Sequence, residues 1–524
     1  MGLLPIIGWL LRVNLPAPNL TSGPVEAGMP LNVTSLMEMS GIGHRRFQMT
    51  KFLRVAILIA LIFSAKDAFA AGANWYVHKG ASGSNNGTSW SNAWNEMNQI
   101  NFSTVACGDT IWLAGGTYTT SLTLNKVCTA GNVLNINRVL STDSVPVAAA
   151  GWNSSFDSQV IISEAGVNLN NNVSYVTVNG RIGTPANNNL GISVRCTAST
   201  GCDTIAGPQT GNMDHLTLTY VEAFGPPCIT GGGAGPGTCG GSNGGASAGV
   251  NIAPSTNTVS SLLLDHMWVH RFSETIRASN WSNCTIQFSD IDSTRQANSG
   301  GDHEDVLYSY ANTNLTMRYN TIWGSPNDGI FFDFGGTTGF QFYGNVYYHS
   351  GGALITFKPG YSFGTAFIYN NIFENDNQFG DYQPGYFYDG GSMTGGAIEN
   401  NVFENVNFVN PATSVGFTTV DYNAYSTTVG KQDNGTHSFT YNAGTLGSSV
   451  LFINESASNP LAANFRLTSK GATTLQSGLS LPAPFNMDMD GNIRGANANW
   501  YIGAFTFGSS SAPQPPTGLT ITVQ

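Results

Sequence analysis

The run Asp302-His303-Glu304-Asp305 places an imidazole among three carboxyl side chains, and Asp328 and Asp333 follow closely. Histidine is the side chain best matched to general-base work near neutral pH. Aligning Glu274-Thr-Ile-Arg-Ala278 with Asp305-Val-Leu-Tyr-Ser309, Asp328-Gly-Ile-Phe-Phe332 and Gly352-Ala-Leu-Ile-Thr356 puts Glu274, Asp305 and Asp328 in one column, at steps of 31, 23 and 24 residues. Carboxylates stacked about 5 Å apart repel, so such a ladder raises the pKa of some members or gathers a cation such as Ca2+. The same alignment stacks Ile276, Leu307, Ile330 and Leu354 inward and alternates Arg277, Tyr308, Phe331 and Ile355 outward. Tyr308 and Lys358 join His303, Asp305 and Asp328 as candidate proton-transfer groups. Arg277, Arg295 and Arg318 are cations for a uronate carboxylate; Phe331 and Trp323, with Tyr347 and Tyr348, offer flat faces to sugar rings. The plain alternative is that the acids cap turns, the histidine is a hydrogen-bonded loop residue and the cations make ordinary surface pairs.

Holding such columns requires strands that recur once per turn of a solenoid. From residue 170 onward one phrase returns: alternating apolar residues, then Asn or another turn residue, then one aliphatic. Instances are Leu315-Thr-Met-Arg-Tyr-Asn-Thr-Ile322, Phe340-Gln-Phe-Tyr-Gly-Asn-Val346, Phe367-Ile-Tyr-Asn-Asn-Ile372 and Ala397-Ile-Glu-Asn-Asn-Val402. The closing aliphatics, counted from Ile291, are 31, 24, 26 and 30 residues apart. Periods of this length without a helical pattern point to a parallel β-helix rather than a sandwich. Asn320, Asn345, Asn370 and Asn400 would then form a hydrogen-bonded ladder between coils.

Composition agrees with that architecture. The 524 residues include 63 Gly and only 10% charged residues, which suits a chain that turns often and excludes a helical bundle. A net charge of −11 with 20 basic residues argues against general nucleic-acid binding. Met49-Thr-Lys-Phe-Leu-Arg54, the apolar run 55–63 and Ala68-Phe-Ala70 read as a signal peptide over 49–70, with 1–48 as an upstream extension that is not native. No later run is long and apolar enough to span a membrane. Six of the seven cysteines fall into local pairs that fit disulfides of an exported protein: Cys107 with Cys128, Cys196 with Cys202, and Cys228 with Cys239. Cys284 reads as a buried thiol. Residues 71–508 read as the β-helix with its N-terminal cap, 225–248 as a long loop, and 509–524 as a Ser/Pro-rich tail.

The opening Trp75-Tyr-Val-His78 with Gly83-Ser-Asn-Asn-Gly-Thr88 and Gly108-Asp-Thr-Ile-Trp-Leu-Ala-Gly-Gly-Thr-Tyr118, and the close Asp490-Gly-Asn-Ile-Arg494 with Tyr501-Ile-Gly-Ala-Phe505, resemble the cap and terminal coil of the secreted bacterial right-handed parallel β-helix proteins of the pectate-lyase-like superfamily. The resemblance covers about 74–508 and implies an all-β, single-stranded right-handed solenoid with long loops. Asn314–Ile322 with Asp328–Asp333 is similar to coils of alginate C5-epimerases. Here Asp302-His303 stands where that group has Asp-Pro-His, and no Arg-His-Gly follows.

Together these readings lead to a secreted, periplasmic or cell-surface protein acting on a uronic-acid-containing polysaccharide by elimination or epimerisation. A glycoside hydrolase using Asp305 and Asp328, or a non-catalytic adhesin, is the alternative.

Overall fold

The computed structural model describes residues 72–181, 190–196, 203–208, 210–225, 248–272, 274–292, 305–324, 329–349, 353–375, 386–389, 391–408, 416–445, 448–455, 463–496 and 499–508. The segments 1–48, 49–70 and 509–524 lie outside them, as do Arg295, His303, Asp328, Cys202, Cys228 and Cys239.

The strands cycle through three sheets, one strand per sheet per coil, and every pairing within these sheets is parallel. Sheet A has 14 strands, sheet B 12 and sheet C 10. This is the expected right-handed parallel β-helix. Period-two alternation builds its core. In sheet A, Ile286, Met317, Phe342, Ile368 and Ile398 stack in register, all within 1% of full burial. Stacking like on like removes these apolar faces from water while the backbone groups of each coil bond to the next.

Between sheets A and B each coil makes one sharp turn through a left-handed residue. Tyr220, His266, Phe288, Tyr319, Asn370, Asn400 and Tyr422 all have φ between 49° and 57° or, for Asn400, 59°. Non-glycine residues adopt this conformation at a cost of about 1 kcal/mol or more. Ring stacking accompanies it here: His266 lies 4.7 Å from Tyr220 and 5.3 Å from Phe288, and Phe288 lies 5.1 Å from Tyr319. Gly344 (φ 67°) takes this position next to Tyr319, whose ring would sit 2.7 Å from a Cβ there.

The asparagine ladder occupies the residue after that turn. Asn320, Asn345, Asn371 and Asn401 each donate an amide N–H to the amide oxygen of the next, ending at Asn423, at 3.1, 3.1, 2.9 and 3.1 Å, and all five are fully buried. The ladder therefore runs through Asn371 and Asn401, not Asn370 and Asn400, which are the left-handed turn residues. A similar one-residue slip affects the strand alignment: Ile322 pairs with Tyr347 rather than Val346, and Ile330 with Ile355 rather than Leu354.

At the N-terminal end, strand Asn74–Val77 pairs with Thr110–Leu113, and the Cys107–Cys128 disulfide closes a separation of 21 residues. Cys196 is also disulfide-bonded, and Cys284 is free and buried. At the other end, strand Asn464–Leu467, helix Ser469–Leu475 and the segment Tyr501–Phe505 do not extend the stack of coils. They pack on the outer face of sheet B, where Val346, Ile372, Val402 and Ala424 meet Leu451, Phe465 and Ile502. No helix among the described residues is long and apolar enough to cross a membrane.

Candidate functional site on the outer face of sheet C

The outward columns of sheet C are set by the pairing of strands Glu274–Ser279, Leu307–Tyr310, Ile330–Phe332 and Ile355–Phe357. Arg277, Tyr308, Phe331 and Thr356 lie level. The first three match the expected column; Thr356 takes the place expected of Ile355, which turns inward to pair with Ile330. The next outward column places Tyr310, Asp333 and Lys358 on successive coils, fixed by backbone bonds from Asp333 N to Ser309 O and from Lys358 N to Phe332 O.

These columns join at Asp333, which is only 3% exposed. Tyr308 donates its hydroxyl to Asp333 Oδ2 at 2.6 Å, and Lys358 forms an ion pair with Asp333 Oδ1. Burial, followed by the hydrogen bond to Asp333 and its charge, pushes the Tyr308 hydroxyl well above the usual tyrosine range. Tyr308 therefore keeps its proton and serves as a donor, not as the base it was expected to be. Lys358 is engaged by the same buried carboxyl group as Tyr308. Its Nζ lies 5.1, 5.7 and 5.9 Å from the ring centres of Phe334, Tyr361 and Phe331. Phe334 and Tyr361 are 50% and 36% exposed, so the cation and its rings form an accessible patch.

One coil nearer the N-terminus, Arg277 bonds Glu274 Oε1 at 2.7 Å and pairs with its second oxygen, while its guanidinium lies 5.9 Å from the Tyr308 ring. Glu274 is therefore a neutralised member of the acidic column. By continuation from Ile276 opposite Leu307, Asp305 sits level with Glu274 and is fully buried. Asp328, the third expected member, and His303 lie outside the described residues, as does Arg295.

Two expected members do not belong to this face. Arg318 ends strand Thr316–Arg318 in sheet A, where it bonds Gln287 at 2.8 Å and Tyr343 at 3.0 Å. Trp323 ends strand Thr321–Trp323 in sheet B and packs against the C-terminal segment. Tyr347 and Tyr348 are also in sheet B and are buried, so the expected aromatic platform is split. Period alone does not tell which of three sheets a strand joins.

Sequence reasoning passed over a second polar group, on sheet B: Glu222, His270, Asp290 and Asp292, each under 9% exposed. The signal was present in Ser289-Asp-Ile-Asp292, where acids flank an inward aliphatic and therefore face outward.

No protein-family model and no curated protein matches the chain. Among solved structures it is similar to the pectate lyase Pel9A (TM-score 0.40, 12% identity, 84% of this chain and 97% of that one). It is also similar to XylC in complex with xylose (TM-score 0.40, 10% identity, 83% and 98%). A third is the Dettilon tailspike protein gp208 (TM-score 0.38, 11% identity, 70% and 68%).

Proposed function

We propose that the protein is a secreted carbohydrate-active enzyme that takes a uronic-acid-containing polysaccharide along sheet C and acts on it as a lyase or epimerase. The observation that carries this reading is Lys358 set among Phe331, Phe334 and Tyr361. A cation ringed by sugar-sized apolar faces suits a ring that bears a carboxylate. The disulfide is consistent with an extracytoplasmic protein.

In this reading Lys358 and Arg277 neutralise the uronate carboxylate, which lowers the barrier to removal of the C5 proton. His303 takes that proton, and the C5 electron pair is stabilised through the carboxylate. In elimination the electrons then form the C4–C5 double bond as the C4–O bond breaks, and the Tyr308 hydroxyl donates its proton to the departing oxygen. In epimerisation the proton returns to the opposite face. Calcium at the acidic column would draw on Asp305 and Asp328, because Arg277 already engages Glu274.

The test is ultraviolet absorbance of the protein incubated with a panel of uronate polysaccharides, with and without a calcium chelator. An absorbance rise that Lys358→Ala and His303→Ala each reduce at least 100-fold is the expected outcome. No absorbance change, no epimerised product, and binding that persists in His303→Ala would mark the protein as a non-catalytic binding solenoid.

A further inference from the structure

The polar residues that the uronate reading leaves unused stand together on the outer face of sheet B. Glu222 lies level with Trp268, and Trp268 with Asp290, on three successive coils. His270 and Asp292 occupy the next outward positions of the same strands, and Val269 and Ile291 between them point into the core at 0% exposure. The Glu222–His270 contact is 3.0 Å. Burial pushes the Glu222 carboxyl up, but bonds from His270 and Ser193 and the charges of His270 and Arg195 outweigh it and hold the carboxyl below its ordinary range. That pair is complete.

Its neighbours are not. The Trp268 indole lies flat on the His270 ring at 3.7 Å with 3° between the planes. Trp268 is only 7% exposed, yet its Nε1–H has no acceptor. The Nε1–H of Trp323, which is paired with Asp292 in the sheet, has none either. Two desolvated donors on one face are an incomplete hydrogen-bond set, and natural structures rarely leave such groups unfilled without cause. Between them stand Asp290 and Asp292. The Asp290 carboxyl is pushed up to about 7, by burial first and then by the charge of Asp292, against a hydrogen bond from Thr321.

We infer that this face of sheet B binds a neutral, hydroxyl-rich sugar unit, with the indole N–H groups of Trp268 and Trp323 donating to its oxygens and Asp290 and Asp292 accepting its hydroxyls. A neutral ligand fits the local charge. Arg195 is committed to Ser193 at 2.8 Å and Gln159 at 3.2 Å and lies 3.9 Å from Glu222. Arg271 lies 4.7 Å from the Phe224 ring centre. Among the described residues, these two guanidiniums stand beside the three carboxyl groups of Glu222, Asp290 and Asp292. Among the described residues no three acid or imidazole groups converge as metal ligands. The inference shares with the uronate reading only the premise that the ligand is a saccharide.

The experiment is calorimetric titration of the full chain with xylohexaose, cellohexaose and mannohexaose as neutral probes, and with trigalacturonate as the anionic one. At least one neutral hexaose should bind, and Trp268→Phe and Asp292→Asn should each weaken it at least 10-fold, while Lys358→Ala leaves it unchanged. Trp268→Phe keeps the ring stacked on His270 and removes only the donor. If that variant fails to fold, Trp323→Phe makes the same test. Binding of none of the three hexaoses, or binding indifferent to these substitutions, would overturn the inference. Loss of trigalacturonate binding alone would count against the sheet C reading and leave this one standing.

Discussion

Asp290 is the residue whose ionisation the fold opposes most plainly. Its carboxyl titrates near 7 in the folded protein and near 4 in an unfolded chain. Below about pH 4 both states hold the proton and nothing is gained or lost. Between about 4 and 7 the unfolded chain releases it while the folded protein keeps it, so stability falls as pH rises through that window. Asp290→Asn removes this slope. Urea unfolding at pH 5 and pH 8 should show the variant gaining roughly 1–3 kcal/mol on the native protein at the higher pH. A pH dependence identical to that of the native protein would mean that Asp290 ionises freely. At this scale the sequence was informative where residues recur in register: Arg277, Tyr308 and Phe331 were placed correctly because each follows an inward aliphatic of known period. It was silent on the partner that Tyr308 and Lys358 share, because that partner is Asp333, whose burial depends on neighbouring coils.

At the scale of the element, the left-handed turn and the ladder position after it divide labour between adjacent residues. Asn345 donates to Asn371 and to Met317 O and accepts from the backbone and side chain of Asn320. Asn345→Ala strands several buried partners at once and should cost roughly 3 kcal/mol or more. The side chain of Asn370, at φ 56°, donates to Phe485 O at 2.9 Å and accepts from Trp500 Nε1 at 3.4 Å, and Asn370→Gly keeps the turn conformation, so its cost should stay under about 2 kcal/mol. Urea midpoints of the two variants check the contrast; equal losses would refute it. The pairs Asn370-Asn371 and Asn400-Asn401 explain why the ladder was misread by one residue. Both members are turn formers, and only the backbone conformation tells the ladder from the bend. The coil from Asn320 to Asn345 spans 25 residues, and a closing apolar residue at either Val346 or Tyr347 satisfies the spacing.

Across the whole solenoid, the C-terminal segment acts as a cover for one sheet. On the outer face of sheet B, the column that begins with Glu222 and Asp290 becomes apolar at Val346, Ile372, Val402 and Ala424, and the change coincides with the reach of residues 451–505. A protein ended at residue 445 would leave that apolar strip facing water. Size-exclusion chromatography should show it self-associating while the native protein does not; a monodisperse truncated form would mean that the strip is tolerated. The close of the chain, Asp490-Gly-Asn-Ile-Arg494 with Tyr501-Ile-Gly-Ala-Phe505, resembles a terminal coil in its motifs. Its place over sheet B instead is fixed by long-range bonds, such as Gly503 N to Asn400 O at 2.9 Å, which spacing cannot reveal.

The parallel pairing of every coil with the next also determines how the protein would respond to tension. The bonds that join coils all run along the axis and act in series, so every ladder carries the same axial load, and an end coil, held by one neighbour instead of two, gives way first. Failure then proceeds coil by coil, and each event frees 22 to 30 residues in the ladder region, roughly 70–100 Å of slack polypeptide. The same stacking that shares hydrogen bonds among neighbours thus makes the molecule a graded tether, which lengthens in steps under drag while the coils still folded keep their surfaces intact.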